Sequence, residues 1–485
     1  MMATPDTLQA TIVPSAPTTE KVRLREKLGF TALHGSVEMF AQILSLYLLV
    51  FYTNVAGIPP ALAGTLMLIC TIWNGVNDPI VGWLVDNHRF KNGEKIRPLI
   101  KWVAVPTALF AIILFWMPAL DPTWAFIYAL LVYCIMDSFS TFLGIPYMSF
   151  PSVMTSDPNE RVSLGTFATA GASLGPLVAS LFTVPLMRTF GGVDALGNVL
   201  DQRTGFHVII VVFMAICVIC QFFVYAVTRE RVRPEKTTTD HIGLFKAFKI
   251  LFTERNFMAI VGYNLLYSFA LSSVIISVVY FTTYVLRMPG GEAILSPILI
   301  LVALLSLPFI RLVNKYASRR GILITAAIAM LVSKIPLFIA PTSFIAACIS
   351  AGLIGVAMGF SVTGISANLN ESIEIAAWNK GYRLEGSAVA LRGLILKIGL
   401  AFLAFMLGLG MQFSGYIAPT EEVLQPVQNE ATQLVFQTSF IYFPAVVAIG
   451  MLIIAFLSPT DRDAAAMRAA KKAAAEAEAA NGTLS

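Results

Sequence analysis

Charge is what this sequence has least of. Only 13% of its 485 residues are Asp, Glu, Lys or Arg, against roughly a quarter in an ordinary soluble protein. A soluble chain of this length would divide into two or three domains, each needing a charged surface, so that class is excluded. Disorder requires low hydrophobicity and high charge, and 57% of these residues are hydrophobic. The net charge of +5 is small for the length, and the basic residues fall in short clusters, which argues against a nucleic-acid partner. Histidine is scarce. The four present, His34, His88, His207 and His241, show no metal-ligand spacing. The five cysteines sit in apolar runs; Cys217 and Cys220 form a C-x-x-C, but no second pair or nearby histidine completes a redox or metal site. They read as small apolar helix residues. No nucleotide-binding loop, zinc motif or Ser/His/Asp arrangement stands out, so a membrane enzyme or a non-transporting sensor is the weaker class and no cofactor is expected. The opening residues are polar, rich in Thr and Pro, without the short apolar core of a secretory signal.

What the chain has instead is long apolar runs. Twelve can be marked, near 28–56, 61–86, 99–119, 123–150, 163–187, 206–228, 257–286, 293–313, 321–341, 343–368, 387–413 and 434–458. A membrane-crossing helix needs about 20 apolar residues. The expected fold is therefore an all-α polytopic membrane protein with twelve transmembrane helices in two six-helix halves. The expected divisions are an N-terminal segment 1–27, a first half 28–228, a central loop 229–256, a second half 257–458 and a tail 459–485. Lys and Arg crowd one side of this arrangement, and only Arg188, Arg203 and Arg287 fall on the other. That bias places both termini in the cytoplasm, in an inner-membrane protein surrounded by lipid. A faint repeat links the halves: Phe51-Tyr-Thr-Asn-Val55 runs on to Pro59, and Phe281-Thr-Thr-Tyr-Val285 runs on to Pro289. Two six-helix halves related by a parallel repeat are the plan of the major facilitator fold.

Charges inside such helices cost roughly 2.5–3.5 kcal/mol each on insertion scales, so they should face a cavity or a partner. Helix one carries His34 and Glu38, four apart and so on one face. In helix two, Asn74, Asn77 and Asp78 share a face, and Pro79 removes the amide that would bond the Gly75 carbonyl. A carboxylate, two amides and a freed carbonyl suit a proton or a hard cation, Na⁺ being possible at Asp78. Helix four carries Asp137 and Thr141 in one stripe, and helix seven offers Tyr263, Asn264 and Tyr267. Aromatic faces beside amides suit a sugar, and equally suit plain packing. Helix eleven carries Arg392 and Lys397; Lys397 needs a counter-charge, for which Asp78 or Asp137 is the natural candidate. Lys334 in helix nine stands alone and is expected to snorkel to a surface.

Asn77-Asp-Pro-Ile-Val-Gly-Trp83, followed by Asp86 and Gly93-Glu-Lys-Ile-Arg-Pro98, resembles the helix-two and loop signature of the melibiose permease-like glycoside-pentoside-hexuronide:cation symporter family of the major facilitator superfamily. Tyr52-Thr-Asn-Val-Ala-Gly57, Ile145-Pro146, Gly381-Tyr-Arg-Leu-Glu-Gly386 and Lys397-Ile-Gly399 match it in the right order. The resemblance implies uptake of a sugar, glycoside or hexuronide coupled to H⁺, Na⁺ or Li⁺. It assigns Asp78 and Thr141 to cation coupling and Lys397 to the substrate region. The chain departs from the family where Asn74 and Gly144 stand for two cation carboxylates, and Ser36 for a sugar carboxylate. Proton coupling through Asp78 is thus favoured over Na⁺. The expected coupling residues are Asp78, Asn74 and Thr141. The expected substrate residues are Lys397, Arg392, Asp137, Glu38, Tyr263 and Tyr267. Losing acceptors while keeping cations tilts the substrate toward anions such as hexuronides, unless Glu38 and Asp137 restore the carboxylates and Lys397 pairs with Asp78. Asp86 with Arg89, the counterpart turn with Arg319 and Arg320, and Arg383 with Glu385 are expected to hold a cytoplasmic gate. A related carrier for a non-sugar organic anion or amphiphile is the alternative within transporters.

Overall fold

The computed structural model describes residues 21–87, 90, 94, 96–194, 198–232, 244–316, 318–380, 385–420, 423–458, 461–470 and 473. The chain runs through α1 (Leu24–Val50), α2 (Pro60–Asn87), α3 (Arg97–Phe115), α4 (Pro122–Met154), α5 (Pro158–Gly191), α6 (Gln202–Val227), α7 (Leu244–Thr253), α8 (Arg255–Tyr280), α9 (Glu292–Tyr316), α10 (Arg319–Val332), α11 (Ile335–Ile339), α12 (Phe344–Lys380), α13 (Glu385–Ser414), α14 (Glu430–Gln437) and α15 (Phe443–Leu457). Among the described residues the only β-pairing is an isolated bridge between Val193 and Val199. Helices dominate because a buried apolar chain without water must satisfy its own amides, which an α-helix does within one segment. Starts are marked locally: Pro122 and Pro158 open α4 and α5, Asp157 accepts from the Asn159 amide at 2.8 Å, and Asp201 accepts from the Thr204 amide at 2.9 Å.

Eleven helices among the described residues are long and apolar enough to cross a membrane. The one expected span missing from that set is α2, whose 28 residues include Asn74, Asn77 and Asp78. The polar cluster that makes α2 interesting also lowers its apolarity, so a count of twelve is not established.

α1–α6 form one half and α8–α15 the other. Within the first, α1 packs on α5 and α6, and α3 on α4 and α6; within the second, α12 packs on α9 and α10, and α15 on α8 and α10. The halves meet where α2 lies against α13, α5 against α9 and α1 against α8. The faint sequence repeat has a structural counterpart: α1 and α8 each end in a π-helical segment, Phe51–Val55 and Phe281–Val285. Beyond them the chain turns at Gly57 (φ 70°) and Arg287 (φ 53°). Glycine adopts this left-handed conformation freely, whereas arginine is strained there.

Three details differ from the sequence reading. The central loop contains α7, whose Ala247 and Leu251 are buried and which packs on α8 and α13. Helix nine is broken between α10 and α11 at Ser333 and Lys334. Lys334 does not snorkel: it is fully buried, and its Nζ donates at 3.0 Å to the carbonyl of Phe440, in a third π-helical segment, Thr438–Tyr442. A carbonyl within reach removes the need to stretch to water.

Candidate functional site

α2 is wedged between α4 and α13, and its polar face is divided between them. Toward α4, Asn74 Nδ2 donates to Asp137 Oδ1 at 2.6 Å, Asn77 Nδ2 donates to Thr141 Oγ1 at 2.9 Å, and Trp73 Nε1 donates to the Cys134 carbonyl at 3.1 Å. Toward α13, Asp78 forms an ion pair with Lys397. The three neighbours read as one cluster from sequence thus serve two contacts. Asp78 is 47% exposed and Lys397 31%. A pair that is not fully enclosed can form and break during a cycle. It joins the two halves. Gly144, where the family pattern has a carboxylate, faces open space.

A cavity of about 270 Å³ lies between the halves, at the small end of ligand pockets. One wall, from α1 and α5, presents Glu38, Gln42, Thr169 and Ser173; the other, from α8, α9 and α12, is mostly aliphatic, with Ser296 among it. Glu38 Oε1 accepts from the Tyr147 hydroxyl at 2.7 Å, and the Tyr147 ring lies 3.8 Å, centroid to centroid, from that of buried His34. Gln42 and Ser173 were not singled out from sequence. Their signal was available: Glu38 and Gln42, and Thr169 and Ser173, are each four apart, hence on one helical face.

Other expected substrate residues lie elsewhere. Tyr263 is buried inside the second half, donating to the Leu323 carbonyl at 2.8 Å, and Tyr267 is buried on the same helix. Neither lines the cavity, and the Tyr267 hydroxyl is buried without a hydrogen-bond partner. Arg392 stays within its own half: with the Asn264 amide oxygen turned toward it, it donates through Nε at 2.6 Å and Nη2 at 3.0 Å. Asp137 sits with the α2 contacts rather than in the cavity.

The two ends of the molecule differ. At the end away from the termini the halves are latched. Thr53 and Tyr280 hydroxyls lie 2.9 Å apart, the Tyr416 hydroxyl donates to Asn54 Oδ1 at 2.8 Å, and Arg188 donates to the Pro289 carbonyl at 2.9 Å. Backbones nearly touch there: a Cβ on Gly408 would come 2.4 Å from the Pro60 carbonyl oxygen. Toward the terminal end α5 is less covered. Gly165, one turn before Thr169, faces open space, and Val162 is 71% exposed.

The expected gate residues do not bridge the halves where they are described. Arg319 of α10 pairs with Glu371 of α12, which also accepts from Arg468 at 2.6 Å, and Arg320 donates to the Phe456 carbonyl. These contacts brace the second half internally, through residues 461–470 of the helical tail. Arg231 does the same for the first half by pairing with Glu26 at 2.9 Å. Glu371 was missed because its partners are remote in sequence. Arg89 and Arg383 lie outside the described residues, as do the side chains of Asp86 and Glu385.

The chain has relatives among known proteins. The family model described as MFS/sugar transport protein matches residues 32–462. The isoprimeverose transporter of Lactiplantibacillus pentosus is 25% identical over 89% of this chain and 88% of its own length. The inner membrane symporter YicJ of Escherichia coli (strain K12) is 25% identical over 90% and 92%. Among solved structures, a D-xylose-proton symporter superposes with a TM-score of 0.58 at 15% identity, covering 88% of this chain and 96% of that one, a likeness of fold alone. The chain is therefore a member of the MFS/sugar transport protein family, a multi-span membrane carrier of the major facilitator fold rather than an enzyme.

Proposed function

We propose that the protein is a symporter that imports a sugar or glycoside together with a proton, by alternating access, with both termini in the cytoplasm. The observation that carries this reading is the Asp78–Lys397 ion pair, which links the halves where α2 lies against α13. A proton arriving at Asp78 removes its charge and releases Lys397, so the state of one carboxylate biases the contact on which rocking depends. A Na⁺ at Asp78 would have to displace an ammonium already in place and find further oxygen ligands, which favours H⁺. The bias of Lys and Arg supports a cytoplasmic terminal end, and the name of the isoprimeverose transporter supports a sugar-type substrate.

The cavity favours a neutral sugar over an anion. Glu38 is the charged group in its lining, and a carboxylate accepts hydroxyl hydrogens but repels a hexuronide. The cations that suggested an anionic substrate are engaged: Lys397 by Asp78, Arg392 by Asn264. The aliphatic wall suits the C–H face of a sugar ring. The test is uptake of labelled glycosides into vesicles under an imposed pH or Na⁺ gradient, with neutral glycosides and glucuronides as competitors. Accumulation driven by the pH gradient and inhibited by neutral glycosides is expected. Accumulation driven by Na⁺ at fixed pH overturns the coupling ion, and competition by glucuronides alone overturns the substrate class.

A further inference from the structure

Asp137 turns its two carboxylate oxygens in different directions. Oδ1 accepts from Asn74 of α2, while Oδ2 has no partner although the residue is only 6% exposed. Two more polar atoms nearby are orphaned in the same way: Thr107 Oγ1 on α3 and Gln221 Oε1 on α6, both in residues 5% exposed. All three residues line one cavity of about 110 Å³ formed by α1, α3, α4 and α6. It lies inside the first half and is separate from the cavity between the halves. Ser36 and Ser140 also line it. Buried polar groups are almost always hydrogen-bonded, and one left unpaired carries its full desolvation cost. Three unpaired atoms around one cavity therefore call for an occupant.

The orphaned atoms define that occupant. Two are pure acceptors and the third is a hydroxyl, so the missing species must donate. An apolar ligand would leave all three unpaired. The volume holds roughly three waters at about 30 Å³ each; a bare monovalent cation would leave most of it empty. The geometry points to a water-filled chamber in the first half, whose waters solvate the free oxygen of Asp137 and pass a proton to and from it. This rests on the proton-coupled reading and extends it to a second carboxylate. On loading, an O–H bond forms at Asp137 Oδ2 as one breaks in a protonated chamber water, and release is the reverse. The titratable and charged groups around Asp137 are Cys70 and Asp78 on α2, Tyr133 and Cys134 on α4, Cys217 on α6, and Lys397 on α13. Lys397 pairs with Asp78. Asp137 makes no ion pair among the described residues; Asn74 donates to it and Lys397 lies within electrostatic reach, and the chamber adds the solvation that Oδ2 lacks. The sites are connected: Asn74 ties Asp137 to the helix that carries Asp78.

The test uses the full-length protein in proteoliposomes, with Thr107→Val and Gln221→Leu to strip hydrogen-bonding capacity from the chamber wall. Substrate counterflow without a gradient needs no net proton movement and should be retained. Uptake driven by a pH gradient should fall about tenfold, the worth of one hydrogen bond to a charged group. Unchanged driven uptake in both variants overturns the proposal. Should the variants unfold, infrared spectra decide instead. The carboxylic C=O band that Asp137→Asn removes should shift in the wild type on transfer to deuterated water, and a band insensitive to this exchange refutes the chamber. Na⁺-dependent thermal stabilisation of the wild type, lost in Thr107→Val, would mark a dehydrated ion site and refute the water cluster. If wild-type uptake does not respond to a pH gradient, the coupling reading fails, and the infrared band still decides the chamber independently.

Discussion

The first half places three carboxylates in the middle stretches of its helices, Glu38, Asp78 and Asp137, and the second half places three cations, Lys334, Arg392 and Lys397. The acids keep some access: Glu38 lines the central cavity, Asp78 is half exposed although paired with Lys397, and Asp137 keeps an oxygen unpaired. The cations are occupied: Lys334 by a carbonyl, Arg392 by an amide, Lys397 by Asp78. Only the last of these contacts crosses between halves. The division suggests that one half binds and titrates, while the other supplies a wall and a single counter-charge.

The sharpest way to break this comparison is to neutralise the crossing pair. Asp78→Asn should abolish concentrative uptake, leaving at most equilibration, and Lys397→Ala should do the same. The double variant should recover equilibration but not accumulation, since no titratable link remains. Normal accumulation in Asp78→Asn, followed with labelled substrate against an uncoupler control, would place coupling elsewhere. The next largest effect belongs to Glu38→Gln. If the first half carries the substrate contacts, affinity should fall about tenfold or more, the worth of one charge-assisted hydrogen bond, as measured by calorimetric titration. The same experiment on Arg392→Gln should show a smaller change.

The latched end offers a finer test. Tyr416→Phe deletes its bond to Asn54, worth about 1 kcal/mol, so the open population at that end should rise roughly fivefold, since about 1.4 kcal/mol is tenfold. Spin-label distances across that end would report it. The smallest effect concerns the repeat itself. Arg287 occupies the left-handed conformation that Gly57 occupies in the other half. Arg287→Gly should be neutral or raise stability by up to about 1 kcal/mol, while Gly57→Ala should lower it by about as much. Thermal unfolding in detergent would compare the two.

Much of the architecture was legible. Apolar runs gave most of the helices to within about five residues, because in a membrane hydrophobic length and helix length nearly coincide; α12 runs twelve residues past its apolar run, to Lys380, through a polar end. The repeat was legible as well, down to Phe51 and Phe281, the first residues of two π-helical segments. Lateral neighbours were less so. Charge bookkeeping offered Asp78 as one of two partners for Lys397, but periodicity could not say that α2 turns Asn74 and Asn77 to one neighbour and Asp78 to another. Tyr263 illustrates the opposite failure. An aromatic beside an amide looks the same in sequence whether it meets a ligand or a backbone carbonyl, and only packing places it against Leu323. The α7 helix was hidden by its brevity, although its apolar spacing was present.

The paired π-helical segments have a consequence for how one helix can serve two purposes. A π-turn carries one residue more than the α-turn it replaces, and each residue of an α-helix advances the face by about 100°. The chain beyond Phe51 is therefore rotated relative to the chain below it, and the chain beyond Phe281 is rotated in the same way. Below the segment α1 shows Glu38 and Gln42 to the cavity; within it, Thr53 and Asn54 reach Tyr280 and Tyr416 of the opposite half. An uninterrupted helix would keep one azimuth along its whole length. Thr53 stands eleven residues past Gln42, about 20° round a regular helix. One face of a single rod therefore lines a binding chamber at one depth and seals it at another, while the extra residue re-aims only the chain that follows, in both halves alike.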